Sequence, residues 1–325
     1  MNSILVVGGA GYIGSHMVWY LGQMGRNVIV VDNLSSGHED ALQHGHLILG
    51  DLSDRDFIYD VFKSYSVDAV MHFASSIQVS ESMVDPAKYY KNNIANGLNL
   101  LDAMITHNVK KMIFSSTAAI FGNPTTTLID ENHDRAPINT YGHTKLMFEQ
   151  ILADYDRAYN LKSVCLRYFN AAGGHPEGLM GERHDPETHL IPLVIEAASG
   201  KRPEIVVFGQ DYDTPDGTCI RDYIHVLDLA EAHWLALNHL LDGGNSESYN
   251  LGNGSGYSVS EVIAMVEKVT NLRVPLRYGI RRQGDPAVLV ADSQKIKNHL
   301  GWAPKFSSLG DIIEHAWRWH SSCDR

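Results

Sequence analysis

Tyr141 and Lys145 stand four residues apart in the run TYGHTKLMFEQIL. On a helix that spacing puts a phenol and an ammonium group on one face. A phenol serves as a base near neutral pH only if its pKa falls from about 10 to about 7, a preference of roughly 4 kcal/mol for the phenolate. One cation about 5 Å away at an effective dielectric of ~20 supplies about 3 kcal/mol of it. Ser115, Ser116 and Thr117 close an apolar run 24 residues before Tyr141 and would bring a hydroxyl to the same place. Such a trio suits proton transfer to and from an alcohol.

A second cation has a natural source. Gly9-x-Gly11-x-x-Gly14 follows the apolar run ILVV and opens a helical pattern, and Gly8 extends it to Gly8-x-x-Gly11-x-x-Gly14. Glycines there permit a tight turn, close approach of backbone N–H groups to a pyrophosphate, and close packing of helix on sheet. Asp32 ends the next apolar run, 18 residues past Gly14. A carboxylate there accepts hydrogen bonds from ribose hydroxyls and repels a 2′-phosphate. No arginine follows it in DNLSSGH, so NAD is favoured over NADP. Oxidised NAD would add its positive nicotinamide ring to Lys145. Two further turns fit the same cofactor: Asp51 and Leu52, with Asp51 in reach of the adenine amino group, and Phe73-Ala74-Ser75.

These residues need a scaffold that gathers strand ends. Residues 4–7, 28–31, 47–49, 69–74, 111–116 and 163–169 are short apolar runs of the kind buried on both faces, and helical stretches at 14–24, 55–65, 87–107 and 140–159 alternate with them. The rhythm predicts an α/β fold, a doubly wound parallel sheet of Rossmann type, over residues 1–169. The texture then changes. Residues 170–188 are rich in Gly, Pro and charge and read as a long functional loop. A helix at 189–200, a strand at 204–208, an extended-then-helical return to the first domain at about 219–241, a helix at 258–270, a strand near 274–278 and a helix at 309–320 follow. Residues 170–325 thus read mainly as a smaller α/β substrate-binding lobe.

The chain's 325 residues and 44% hydrophobic content support a real core, and its net charge of −12 argues against nucleic-acid or anionic-membrane binding. Cationic contacts to a phosphate ester must then be local. No apolar run approaches the ~20 residues that span a bilayer, and the N-terminus lacks the basic region of a signal peptide. Cys165, Cys219 and Cys323 are far apart, without CxxC spacing, which points to a reducing cytoplasm and no disulfide framework. The histidine clusters His38, His44, His46 and His184, His189 read as lacking carboxylate or thiolate partners at ligand spacing, so no metal is expected.

VVGGAGYIGSH, the strand-end SST and YGHTK resemble the extended short-chain dehydrogenase/reductase superfamily. DNLSSGH, YYKNN, FSSTAAIFGNP, LRYFNAAGGHPEGLMGE, FGQDYDTPDGTCIRDYIHVLDLAEAH and RRQGDPAVLVAD, in order along almost the whole chain, are similar to its UDP-glucose 4-epimerase family. The resemblance implies a redox-neutral isomerase with tightly bound NAD, inverting the 4-hydroxyl of a UDP-hexose. Tyr141 would be the acid/base, Thr117 its hydrogen-bonding partner, and Lys145 the group that lowers the tyrosine pKa and holds the nicotinamide ribose. Gly8, Gly11, Tyr12, Ile13, Gly14, Asp32, Asn33, Asp51, Leu52, Phe73, Ala74, Asn92, Ser115 and Phe169 would complete the cofactor site. Asn170, His189, Leu190, Phe208, Arg221, Tyr223, Arg282, Asp285 and Leu289 would join Thr117 in holding the UDP-sugar, with Arg221 and Arg282 meeting the diphosphate locally. The superfamily commonly forms homodimers through helices corresponding to those near 90–107 and 140–157.

Three positions depart from the family pattern: Thr117 where serine is frequent, Ile77 where some members place a cofactor-contacting lysine, and Leu289 where some carry a bulky tyrosine. The smaller Leu289 would leave room for an N-acetyl group on the sugar. A 4,6-dehydratase of the superfamily would need an Asp-Glu pair where this chain has Ala118 and Ala119. A non-catalytic NAD-binding scaffold would have no use for Tyr141, Lys145 and Thr117 together.

Overall fold

A computed structural model describes residues 3–282 and 285–322. The chain begins with β1 (Ser3–Val7), α1 (Tyr12–Gln23), β2 (Val28–Asp32), β3 (His46–Leu49), α2 (Arg55–Ser64) and β4 (Val67–His72). Then come α3 (Val79–Val84), α4 (Pro86–Tyr89), a π-helical turn at Tyr90–Ala95, α5 (Asn96–Thr106), β5 (Lys111–Thr117), β6 (Leu128–Ile129), α6 (Thr140–Tyr159) and β7 (Lys162–Tyr168). The remainder holds β8 (Asn170–Ala172), α7 (Leu190–Ala198), β9 (Ile205–Phe208), β10 (Ile220–His225), α8 (Val226–Leu241) and β11 (Glu247–Leu251). It ends with β12 (Gly256–Ser258), α9 (Val259–Thr270), β13 (Leu276–Gly279), β14 (Val288–Ala291), α10 (Gln294–Leu300) and α11 (Leu309–Ser322).

Seven parallel strands form the main sheet in the order β11-β7-β5-β4-β1-β2-β3. Each β1 residue is buried, and alternation along the strand assigns them to opposite faces. Ile4 and Val6 join the core beneath α1 and α8, whereas Leu5 and Val7 join the core beneath α2, α5 and α6. The strand order reverses between β1 and β4, so the β1 and β4 ends open a crevice at the switch point. The predicted parallel sheet is present. A smaller sheet, β12-β10-β14-β6 with β8 on β10, and the pair β13-β9 lie with α7, α9 and α11 around a separate core that includes Val194, Ile195, Val262 and Ile312.

Several elements went unread, β6, β8, β12, β14 and α10 among them, and two further differences bear on the sheet and the site. The helix read as continuous over 87–107 is interrupted by the π turn, whose extra residue re-aims Asn92 and Asn93 toward Ser76 and Thr144. β11 went unread because Glu247, Ser248 and Asn250 break its apolar character; it pairs with β7 and extends the sheet. Within the helices that the resemblance assigns to a dimer, Leu101 and Met104 are fully buried in the chain's own core, while Met147 is 39% exposed.

Candidate active site

The glycine turn joins β1 to α1 at the switch point. Gly8 has φ of +79°, and a Cβ there would sit 2.4 Å from the backbone nitrogen of Ala74. A Cβ on Gly14 would meet the Gly8 carbonyl oxygen at 2.1 Å. Gly11 is different: its Cβ would touch protein only at 3.5 Å, so the chain itself does not require a glycine there. The open space there would admit a ligand approaching the backbone. Gly11 caps α1 without a side-chain acceptor, and no acid occupies the first turn, which leaves the N–H groups of Tyr12 and Ile13 to an anion. Asp32, 8% exposed, accepts from the Ala10 N–H at 2.9 Å and the Leu34 N–H at 2.8 Å, tying the turn to the end of β2. Asn33 donates to Asp51, whose pKa is lowered on balance: burial pushes it up, and hydrogen bonds from Ser53 and Asn33 more than offset that. Phe73 and Ala74 both donate to the Val7 carbonyl, at 2.8 and 3.1 Å, closing the crevice's other lip. Asn92 donates to Ser76 beside it. A dinucleotide fits this cradle: glycines where its pyrophosphate comes close, a carboxylate for its ribose, a second carboxylate beyond.

The predicted trio converges at the C-terminal end of β5. α6 starts at Asn139, whose side chain accepts from the Gly142 N–H at 2.8 Å, and the next turns bring Tyr141 and Lys145 inward. Lys145, 2% exposed, donates to the Ser115 carbonyl at 2.8 Å, with its Nζ 5.8 Å from the centre of the Tyr141 ring. The Thr117 hydroxyl lies close enough to the Tyr141 phenol to favour its phenolate. The titration of the pair bears on how much Lys145 does without the nicotinamide ring. Burial pushes the Tyr141 pKa up to about 12, against a smaller lowering by Thr117, and burial pulls Lys145 down to about 7, opposed by Glu149. With protein groups alone, Lys145 does not strip the phenol. The site needs a further positive charge, such as an oxidised nicotinamide.

A residue the sequence reading missed supports this pair. Glu149 is one turn beyond Lys145 on the same face of α6 and is buried with Arg167 from β7. The guanidinium donates to the carboxylate at 3.0 and 2.6 Å, and Ser116 donates to it as well. Tyr141, Lys145 and Glu149 at i, i+4 and i+8 were the available signal. Ser115 is hydrogen-bonded to Tyr168, which locks the β5 and β7 ends together.

The opposite wall comes from β10, β14 and the flanking loops. Arg221 on β10 pairs with Asp285, which also accepts from Tyr212 at 3.2 Å. The Arg282 guanidinium lies 4.1 Å above the Phe208 ring, and Arg281 lies 3.9 Å above Tyr212. Arg281, Arg282 and Asp285 line a groove of about 550 Å³. Leu289 stands opposite Arg221 in register and packs with Phe169 onto Ile120, Phe121 and Ile129, next to Ala118. Asn170, paired with Tyr223 in register, donates its amide to the Asp222 carbonyl at 2.8 Å. Leu190 opens α7, and Tyr223 is buried in the lobe's core.

His189 and His184 overturn the expectation that they lack carboxylate partners. His189 Nδ1 lies 2.8 Å from Glu182 and 3.0 Å from Glu187, and His184 Nδ1 lies 3.3 and 3.5 Å from the same two carboxylates. The glutamates lie within a few residues of both histidines, yet in a loop whose path no periodicity foretells. The imidazole nitrogen of His189 is thus engaged away from the role assigned to it by resemblance. Tyr12 likewise spends its hydroxyl on the Gly173 carbonyl, at 2.8 Å.

Residues 4–252 match the model of the NAD dependent epimerase/dehydratase family. A UDP-glucose 4-epimerase of Halalkalibacterium halodurans is 50% identical over 318 residues, covering 98% of this chain and 95% of its own. A crystal structure of a UDP-glucose 4-epimerase is 53% identical with a TM-score of 0.98, covering 100% of this chain and 99% of its own. The Brucella ovis UDP-glucose 4-epimerase in complex with NAD is 47% identical with a TM-score of 0.96, over 98% of each chain.

Proposed function

The chain belongs to the NAD dependent epimerase/dehydratase family, and from that premise we propose that it is an NAD-dependent isomerase that inverts the 4-hydroxyl of UDP-glucose and UDP-galactose. The observation that carries this reading is the buried Tyr141 phenol, with Thr117 near it and the Lys145 Nζ 5.8 Å from its ring, at a strand end beside a dinucleotide cradle. Held in this cradle, NAD would supply a hydride acceptor and donor at C4 and, while oxidised, a positive charge beside the phenol. Tyr141 takes the proton of the 4-hydroxyl and gives it back to the product oxygen. Thr117 holds the phenol in line, and Lys145 keeps a proton or charge beside it. Arg221 and Arg282 grip the diphosphate so that the 4-keto sugar turns over without leaving. Ala118 and Ala119 leave no carboxylate to eliminate the 6-hydroxyl, which favours epimerisation over dehydration.

Residues 1–169 with α8 hold NAD through Gly8, Gly11, Gly14, Asp32, Asn33, Asp51 and their neighbours, and 170–325 supply most contacts to the UDP-sugar. Exposed Met147 on α6 supports a homodimer through α5 and α6. Free, buried Cys165 and Cys219 suit the cytoplasm, where the reaction would serve galactose metabolism. Leu289 in place of a bulkier side chain supports acceptance of UDP-N-acetylglucosamine. Purified protein incubated with UDP-galactose and no added NAD should form UDP-glucose; absence of product with NAD present in the protein would overturn the assignment.

A further inference from the structure

Outside the sugar site, the loop between β8 and α7 gathers four side chains whose chemistry the isomerase reading does not use. Glu182, His184, Glu187 and His189 each turn one donor atom to a common point, and the four atoms lie within 4.8 Å of one another. The two carboxylates are nearly sealed, at 5% and 6% side-chain exposure. Two buried carboxylates side by side are costly unless matched by two positive charges. Those can be two imidazolium protons or one dication: His189 Nδ1, 2.8 and 3.0 Å from the two carboxylates, is at ordinary hydrogen-bond distance, and the choice turns on His184. His184 Nδ1 is buried and makes no aligned hydrogen bond, standing 3.3 Å from Glu182 and 3.5 Å from Glu187. An N–H···O bond would draw these atoms to about 2.9 Å. Ligands at the 2.0–2.1 Å of a tetrahedral zinc ion stand about 3.3 Å apart along each edge, which is the His184 spacing. Glu187 is also braced as a ligand should be: its Oε1 accepts from the N–H groups of Thr188 and His189, at 2.7 and 2.8 Å, leaving Oε2 to face His184.

We propose that Glu182, His184, Glu187 and His189 bind one divalent transition-metal ion of the zinc class, as a clasp that fixes the loop between β8 and α7 across the glycine turn. Two imidazoles and two carboxylates in a four-fold set suit zinc and not magnesium or calcium, which take six or more oxygens. The clasp's surroundings fit a fastening. The Tyr12 ring, first in α1, lies 6.3 Å from that of His184 and donates to Gly173 at the loop's start. Arg183 pairs with Asp40 beyond β2, and Trp319 of α11 donates to the Glu182 carbonyl at 3.1 Å. The inference stands independently of which sugar is turned over.

The test uses the full chain with its NAD, stripped of metal by a chelator and titrated with zinc by calorimetry, then with cobalt(II) by absorption. One equivalent of zinc should bind, raising the melting temperature, and cobalt should give the intense visible bands of a tetrahedral nitrogen–oxygen site. His184→Asn with Glu187→Gln should weaken binding by more than the ~10–100-fold that follows loss of an outer partner. His44→Asn with His46→Asn, both on the exposed surface, should leave the titration unchanged. Sub-stoichiometric binding, weak octahedral cobalt absorption in the unaltered protein, or full affinity in the first double variant would each overturn the proposal. The unaltered protein's cobalt spectrum decides the matter even if that variant fails to fold.

Discussion

The two walls of the cleft are built on different principles. Around Tyr141 the side chains are interior: Lys145 is anchored to a strand carbonyl, Glu149 is locked to Arg167, and Thr117 is 8% exposed. The facing wall holds its cations loosely, Arg221 on Asp285 and exposed Arg282 on the half-exposed Phe208 ring. A preorganised wall can stabilise charge as it develops, because its dipoles need not move. The facing wall keeps its arginines on internal partners, which a diphosphate bound there, as proposed, would displace. Changes on the first wall should therefore strike kcat, and changes on the second KM.

The hardest test of that contrast is Tyr141→Phe. It removes the proton carrier and leaves the cradle, so kcat should fall ~10²–10⁴-fold with the NAD content of the purified protein unchanged. Loss of NAD in parallel would mean that the phenol holds the cofactor more than it serves the reaction. Next comes Glu149→Ala, which strands the buried Arg167 guanidinium. Removing one partner of a buried pair costs about 3–5 kcal/mol, read as a lower denaturation midpoint, and Lys145 loses the carboxylate that favours its proton. On the facing wall, Arg221→Met should raise KM for the UDP-sugar ~10–100-fold, in line with about 1.5–3 kcal/mol for a charge-assisted hydrogen bond, with little change in kcat. A fall in kcat alone would dissolve the distinction between the walls.

How well the sequence announced each wall follows from the same difference. Tyr141 and Lys145 were legible because a helix enforces their spacing, and the glycine turn because its strand, helix and Asp32 lie within one βαβ unit. Glu149 sits on the identical face but reads as an ordinary acidic helix residue until Arg167, 18 positions on, is seen opposite it. The π turn has no residue signature. Arg221 meets Asp285 across 64 residues of chain, and the resemblance supplied both while periodicity supplied neither. The clasp residues were in plain sight, yet loops carry no period by which to infer proximity.

Lys145 offers a subtler probe of the interior wall. Its folded pKa of about 7 lies below the unfolded value near 10.5, so between these pH values the unfolded chain binds more protons. Stability then rises with pH across that window, by at most about 1.4 kcal/mol per pH unit for one proton, and the penalty is fully present below pH ~7. Lys145→Met should remove that slope when NAD-free protein is unfolded with urea at pH 7 and pH 9, other groups cancelling in the comparison. An unchanged slope would place the lysine's proton elsewhere.

The smallest effect should fall where the walls meet. Leu289 is opposite Arg221 in the β10–β14 pairing, yet it packs with Phe169 onto Phe121 beside Ala118, so on the proposed reading its size would set the room beside the sugar ring. Leu289→Tyr adds bulk without adding charge. It should lower kcat/KM for UDP-N-acetylglucosamine about 10-fold, the ~1–3 kcal/mol typical of an overfilled apolar site, while UDP-glucose turnover changes less than about threefold. Equal losses with both sugars would mean that the tyrosine disturbs Arg221 and the grip on the diphosphate, and that the wall beside the 2-substituent lies on another residue.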